Sequence, residues 1–236
     1  MTTYTYTTLD HPLGFNITEA TGINAAGQIV GYYYSSSSGT ANGFLYSGGM
    51  YTTLDDPLGV RGTFLHGINA RGQIVGDYLD SSGVPHGFLY SRGSFTTLNE
   101  PLAVGYVTDA NGINANGEIV GDYYNGGYHG FLYSDGKYTT LDDPLAPINN
   151  PHTTGGTLAL GINDKGQIVG YYKDSSGTSH GFLYSGGTYT TFDDPLGGLC
   201  FNLGTFPNGI NNNGQIVGYY GVYGANHGFL ASPVNG

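Results

Sequence analysis

One decapeptide is written five times along this chain with small edits, and that repetition constrains the fold more than any other feature. The first copy is Gly22-Ile-Asn-Ala-Ala-Gly-Gln-Ile-Val-Gly31, and the others begin at Gly67, Gly112, Gly161 and Gly209, in steps of 45, 45, 49 and 48 residues. Periods of about 20 to 50 residues belong to solenoids, propellers and arrays, in which each repeat is one supersecondary unit that buries its apolar face against the next. An unbroken repeat over 236 residues also argues for a single domain, residues 1–236, rather than two.

Each repeat carries four strand signals. The first ends in Gly-Ile-Asn, and the Asn-x-x-Gly that follows suits a tight turn, with Gly at positive φ and Asn bonding back to the backbone. Gln-Ile-Val-Gly-x-Tyr is the second, and a polar loop such as Asp80-Ser-Ser-Gly-Val-Pro85 leads to the third, His86-Gly-Phe-Leu-Tyr-Ser91. The fourth is Phe95-Thr-Thr-Leu98, with counterparts at Tyr51, Tyr138 and Tyr189. No helical periodicity separates them, and four short strands per unit is the pattern of a β-propeller blade. The fold expected is therefore all-β: a five-bladed propeller of four-stranded blades.

Closure follows from the two broken copies. Residues 209–236 supply 28 residues of a repeat and residues 1–21 supply 21 more, together the 49 of a complete unit. The strand Thr2–Leu9 is expected to pair with the third strand of the last blade, around Gly228–Ala231, and so remove the open sheet edge.

At Gly-Ile-Asn-x-x-Gly-Gln-Ile-Val-Gly followed by His-Gly-Phe-Leu-Tyr, the chain resembles the bacterial HAF repeat family, named for a His-Ala-Phe tripeptide. Asn24, Gly27, Gly31 and Phe44 recur in all copies, while Gly replaces Ala and Asn42 replaces the first His. The resemblance covers essentially the whole chain and implies an extracellular or cell-surface location and a scaffold or binding role. No basic n-region and apolar run of the signal-peptide kind opens the sequence, so a cytoplasmic location stays open.

Charge narrows the partners. A net charge of −11 with six basic residues opposes phosphate backbones and anionic lipid, so nucleic acid is not an expected partner. No apolar run of about 18 residues exists to insert into a membrane. Cys200 is the sole cysteine, which excludes an intrachain disulfide, and no base is identified beside it to make it a nucleophile. Motifs for serine hydrolases, phosphate loops and zinc proteases are missing, and no cofactor is implied.

Repeated side chains read as structural. His86, His129, His180 and His227 sit on third strands, roughly 10 Å outside the innermost one at about 4.8 Å per strand, too far apart to share a metal. The pairs Asp55-Asp56, Asp142-Asp143 and Asp193-Asp194 offer oxygen ligands for Ca²⁺, but Asp before Pro is also a turn former, and Asn99-Glu100 and Asp10-His11 fill the same place. Tyr33, Tyr78, Tyr123, Tyr172 and Tyr220 recur and suit the core, whereas Tyr34, Tyr124, Tyr128 and Tyr223 do not repeat and are candidates for ligand contact.

Unrepeated residues in the innermost strand are the better functional candidates. After the repeated Thr18, Thr63, Thr108, Thr157 and Thr205 come Glu19 and Thr21, Phe64 and His66, Asp109 and Asn111, Leu158 and Leu160, Phe206 and Asn208. Two functions fit. One is a non-catalytic, monomeric propeller that binds a small molecule or glycan, with Asn111, Asn208 and the unrepeated tyrosines in contact. The alternative is a small enzyme whose central funnel uses Glu19, His66, Asp109 and His152 as acid, base and orienting groups.

Overall fold

The computed structural model describes residues 7–35, 39–147, 155–198 and 203–233. His152 and Cys200 lie outside the described residues. The chain is an all-β propeller. Its first blade is β1 (Gly14–Ile23), β2 (Ile29–Ser35), β3 (Ala41–Ser47) and β4 (Met50–Thr53). The second is β5 (Gly62–Ile68), β6 (Ile74–Leu79), β7 (Pro85–Ser91) and β8 (Ser94–Leu98), and the third is β9 (Thr108–Ile113), β10 (Ile119–Tyr124), β11 (Tyr128–Ser134) and β12 (Lys137–Leu141). The fourth is β13 (Gly156–Ile162), β14 (Ile168–Lys173), β15 (Ser179–Ser185) and β16 (Thr188–Phe192), and the last holds β17 (Gly204–Ile210), β18 (Ile216–Val222) and β19 (Ala225–Ala231). Within each blade successive strands pair antiparallel. No helix among the described residues is long and apolar enough to cross a membrane.

The core lies between blades. Val30 of β2 packs with Leu65, Ile68, Ile74 and Phe88 of the second blade, Val75 with Ile113 and Phe131 of the third, and Val120 with Ile162 and Phe182 of the fourth. The Val of the repeated Ile-Val-Gly thus fills the neighbouring blade at Val30, Val75 and Val120, and Ile68, Ile113 and Ile162 are buried as their repetition predicts.

The Asn of each Gly-Ile-Asn does two jobs. Asn114 Oδ1 accepts the N–H groups of Asn116 and Glu118, closing its own turn, while its Nδ2 donates to the Asn163 carbonyl of the next blade at 3.1 Å. Asn24 reaches Asn69 O, Asn69 reaches Asn114 O, and Asn163 reaches Asn211 O in the same way, at 3.0 Å each. A head-to-tail chain of amides therefore runs around the axis. Among the described residues Asn211 ends it, its Nδ2 donating to its own Gln215.

The expected pairing of Thr2–Leu9 with Gly228–Ala231 falls mainly on residues 1–6, outside the described residues; Thr7, Thr8 and Leu9 are described and are not in a strand. The last blade accordingly has three described strands rather than four. Its Val217 is 51% exposed and Ile23 on the facing side of the first blade is 67% exposed, whereas Val30, Val75, Val120 and Val169 are fully buried. Among the described residues the first and last blades are not joined as the other neighbours are.

Repeated polar residues fasten the blades. Thr18, Thr63, Thr108, Thr157 and Thr205 each accept, through Oγ1, the N–H of the residue that leads in from the preceding unit: His11, Asp56, Glu100, Asp143 and Asp194. Asp56, Asp143 and Asp194 each accept an N–H two residues on, from Leu58, Leu145 and Leu196. Asp55 accepts Gly43 N–H, while Asp142 and Asp193 bond His129 and His180. The carboxylates offered as calcium ligands are thus engaged in turns and strand ends, and among the described residues no group of three or more acidic, His or Cys side chains is placed to hold a metal.

Candidate functional site

A β-bulge in the innermost strand builds the site. Pairing of β5 with β6 slips between Leu65 and Gly67, leaving His66 as the extra residue, and the same slip falls at Thr21, Leu160 and Asn208. In the third blade the slip lies between Val120 and Gly121, opposite Asn111. A bulge leaves one residue outside the ladder and re-aims its side chain. The last Gly of Gln-Ile-Val-Gly faces this kink, and a Cβ at Gly121 would collide with the Asp109 carbonyl, as one at Gly76 would with Phe64 and one at Gly170 with Leu158. The repeated glycine is the space into which the bulge folds.

Just before each bulge an unrepeated pair stands across the two inner strands. These pairs are Glu19 with Tyr32, Phe64 with Asp77, Asp109 with Asp122, Leu158 with Tyr171, and Phe206 with Tyr219. Strand alternation turns Tyr33, Tyr78, Tyr123 and Tyr172, one residue later, into the blade, where they are buried and their hydroxyls meet threonines of the fourth strand. Tyr78, Tyr123, Tyr172 and Tyr220 also stack on His86, His129, His180 and His227 at 5.0–5.2 Å. Both repeated sets are structural.

The unrepeated positions of the second, third and fourth blades enclose a cavity of about 640 Å³. Phe64, His66 and Asp77 line it from the second blade, Asp109, Asn111, Asp122 and Tyr128 from the third, and Leu158, Leu160 and Tyr171 from the fourth, with Leu79, Pro85 and Lys173 completing the wall. Of the side chains singled out in the sequence, His66, Asp109, Asn111 and Tyr128 line this cavity. Glu19 is a correction: it is exposed, held by the Tyr32 hydroxyl at 2.6 Å, and does not line the cavity. Asn208 is exposed on the last blade, Tyr223 is 99% exposed, and Tyr34 and Tyr124 lie against Tyr32 and Tyr128 without lining the cavity.

Asp77 and Asp122 were missed in the sequence, although the signal was present. The x of Val-Gly-x-Tyr reads Tyr32, Asp77, Asp122, Tyr171 and Tyr219, as unrepeated as the positions that were noticed.

The polar side is electrostatically crowded. His66 Nε2 meets Asp77 Oδ1 at 2.6 Å, and Asn111 Nδ2 donates to Asp122 Oδ1 at 2.9 Å. Burial alone would lower the His66 pKa, but the bond and charge of Asp77, with the charge of Asp109, outweigh it and raise the net value. Asp109 is pushed up to about 7, chiefly by burial, then by the charge of Asp77, against the opposing pull of His66. Asp122 rises well above the usual carboxylate range through burial and the charge of Asp109, despite the Asn111 bond. Opposed side chains on paired strands lie about 5 Å apart. Two such carboxylates oppose each other's ionisation, so burial and mutual repulsion raise the pKa values of the pair together.

No protein-family profile and no curated protein matches the sequence. Solved structures are similar to it in fold. The β-propeller domain of the Trilobed protease from Pyrococcus furiosus, described as having an open velcro topology, is 10% identical with a TM-score of 0.58, over 91% of this chain and 67% of that one. A mutant of the Aleuria aurantia lectin, in complex with Fucalpha1-6GlcNAc, gives 15% identity and a TM-score of 0.47 over 92% of this chain and 77% of that one. TolB from Acinetobacter baumannii gives 14% and 0.49 over 71% of this chain and 40% of that one. The first likeness supports the propeller fold.

Proposed function

We propose that this propeller is a non-catalytic saccharide-binding protein with one site, in the cavity between the second and fourth blades. The observation that carries the reading is the sorting of side chains there: carboxyls, an imidazole and an amide on the second and third blades face Leu158, Leu160 and Tyr171 on the fourth. A sugar ring has the matching division, with C–H groups on a face and hydroxyls on the edge, and a cavity of about 300 to 1,000 Å³ suits one or two rings. Among the described residues the one side-chain hydrogen bond to this pair of carboxyls is that of Asn111 to Asp122 Oδ1, which leaves their other oxygens, at the cavity wall, to accept ligand hydroxyls. Repeated shallow sites have less support, since the repeated Tyr and His pairs are stacked into the blades.

A glycan array followed by calorimetry tests this. One saccharide per chain, lost in Asp122→Asn, is expected; several equivalent sites would reject the single cavity. Acid–base catalysis in the same cavity is a second reading, favoured by Asp109 at about 7 beside the His66–Asp77 pair. Turnover of chromogenic glycosides that disappears in Asp109→Asn would establish it.

The finer features belong to the same proposal: a HAF-type repeat protein, extracellular and monomeric, whose ring closes at five blades with the N-terminal segment completing the last. Supporting closure, Asp10 occupies the place that Asp142 and Asp193 occupy against His129 and His180, and His227 lacks such a partner among the described residues. Removing residues 1–9 should then lower the melting temperature by several degrees or cause association. An unchanged, monomeric protein would reject it.

A further inference from the structure

Charge balance in the cavity narrows the saccharide class, on the premise that the cavity binds saccharide. Three carboxyls, Asp77, Asp109 and Asp122, face it, together with two basic groups, His66 and Lys173, and the weakly acidic hydroxyls of Tyr128 and Tyr171. Asp77 is matched by His66 at 2.6 Å. Asp122 is 4% exposed, and among the described residues its carboxyl accepts one side-chain hydrogen bond, from the uncharged Asn111 at Oδ1, so Oδ2 is left to face the cavity. Asp109, directly across the ladder from it, accepts no hydrogen bond from any described residue. Two adjacent carboxyls on one wall therefore have acceptor capacity for several N–H donors, and no salt bridge among the described residues joins either of them to a cation. A neutral sugar would satisfy some of these oxygens without balancing their charge. An ammonium group would do more, because it supplies three donors to an acceptor pair and sets a fixed positive charge beside two adjacent carboxyls.

We infer that the cavity takes a saccharide bearing a free ammonium group, an amino sugar rather than its N-acetylated or neutral counterpart, with the ammonium seated between Asp109 and Asp122 and the C–H face of the ring against Leu158 and Leu160. N-acetylation removes the charge and two of the three donors, and it adds a methyl group on the polar side of the cavity. The wall opposite presents Leu158, Leu160 and Tyr171, with Lys173 at the end of β14, so the C–H face of the ring and the ammonium are drawn to different sides. The ammonium favours the ionised form of both aspartates, so binding releases proton from the pair.

Calorimetry on the full chain, with glucosamine, N-acetylglucosamine and glucose trimers of the same linkage, tests the inference. Galactosamine and N-acetylgalactosamine serve as a second set. The amino sugar should bind one per chain, at least about tenfold more tightly than its acetylated and neutral counterparts. Paired buffers of different ionisation enthalpy near pH 5.5, where the amino sugar is already an ammonium, should show close to one proton released per ligand. Asp109→Asn and Asp122→Asn should each remove the preference and the proton release while circular dichroism and cooperative melting are retained. Equal or tighter binding of the acetylated or neutral sugars overturns the inference and leaves the saccharide reading intact. No binding by any sugar in either set, or in a glycan array, rejects the saccharide reading itself. Spermidine binding in that case would mark a cation site without sugar recognition and overturn the inference as well.

Discussion

Replacing Asp109 by Asn should stabilise the protein at alkaline pH and leave it nearly unchanged in acid. The carboxyl rises from 3.8 in the unfolded chain to about 7 in the folded one. A group whose folded pKa is raised binds more protons folded than unfolded, so its contribution is fully present below about pH 4 and is lost as pH climbs through about 7. At about 1.4 kcal/mol per tenfold change in proton affinity the full difference is about 4 kcal/mol. Water in the mouth of the cavity screens the charge, and Asp122 titrates with Asp109, which together reduce the expected gain to roughly 2 kcal/mol at pH 8. Asn has the shape of the carboxyl, no charge to desolvate, and no protein hydrogen bond to lose at this position. Urea unfolding of both proteins at pH 4.5, 6, 7 and 8 reads the difference directly. Free-energy curves that run parallel over this range, or an Asn variant less stable than the parent at pH 8, would refute the argument that Asp109 is held protonated by its surroundings.

Four further perturbations report on the scaffold. Asn114→Ala removes two turn bonds, the bond to Glu118 and the bond to the next blade, and should cost about 2 to 3 kcal/mol in urea unfolding; a cost under about 1 kcal/mol would mean that the amide chain carries little. Gly121→Ala should abolish soluble expression or shift melting down by more than about 10 °C, because its Cβ meets the Asp109 carbonyl; a well-folded variant would show that the bulge can relax. Val75→Ala should cost about 2 kcal/mol. If the ring closes at five blades in solution, Val217→Ala should cost nearly as much, while a cost below about 0.5 kcal/mol would leave that face open.

Much of the scaffold is legible in the sequence because period and burial coincide. The Ile of Gly-Ile-Asn, the Val of Gln-Ile-Val and the lead-in Thr repeat because every blade needs the same plug, filler and clamp. The Asn was legible only as a turn former. Its bond across to the next blade spans 45 to 49 residues and leaves no local trace. The site was half legible for a related reason. Contrast between repeats exposed His66, Asp109 and Asn111, but the same test was not extended to the second strand, where Asp77 and Asp122 stand beside the conspicuous repeated tyrosine. Glu19 passed the test and still fails as a cavity residue, because Tyr32 captures it on a blade that does not border the cavity. Blade position around the axis is what the one-dimensional pattern omits.

The bulged strand has an evolutionary consequence. In each blade three positions, exemplified by Asp109, Asn111 and Asp122, vary while the glycine opposite keeps the kink itself constant. Recognition and folding are therefore written largely in separate letters of the same repeat, the bulge residue being shared between them: Asn111 also bonds the Ala159 carbonyl of the next blade, as Thr21 bonds that of Leu65. Duplicating a blade copies the scaffold intact, and change at Asp109 and Asp122 then gives each copy its own chemistry with the least cost to the joints. A library randomised only at these positions would sample ligand specificity on a fixed frame, and the existing chain, with acids in one sector and aromatics in another, is one draw from it.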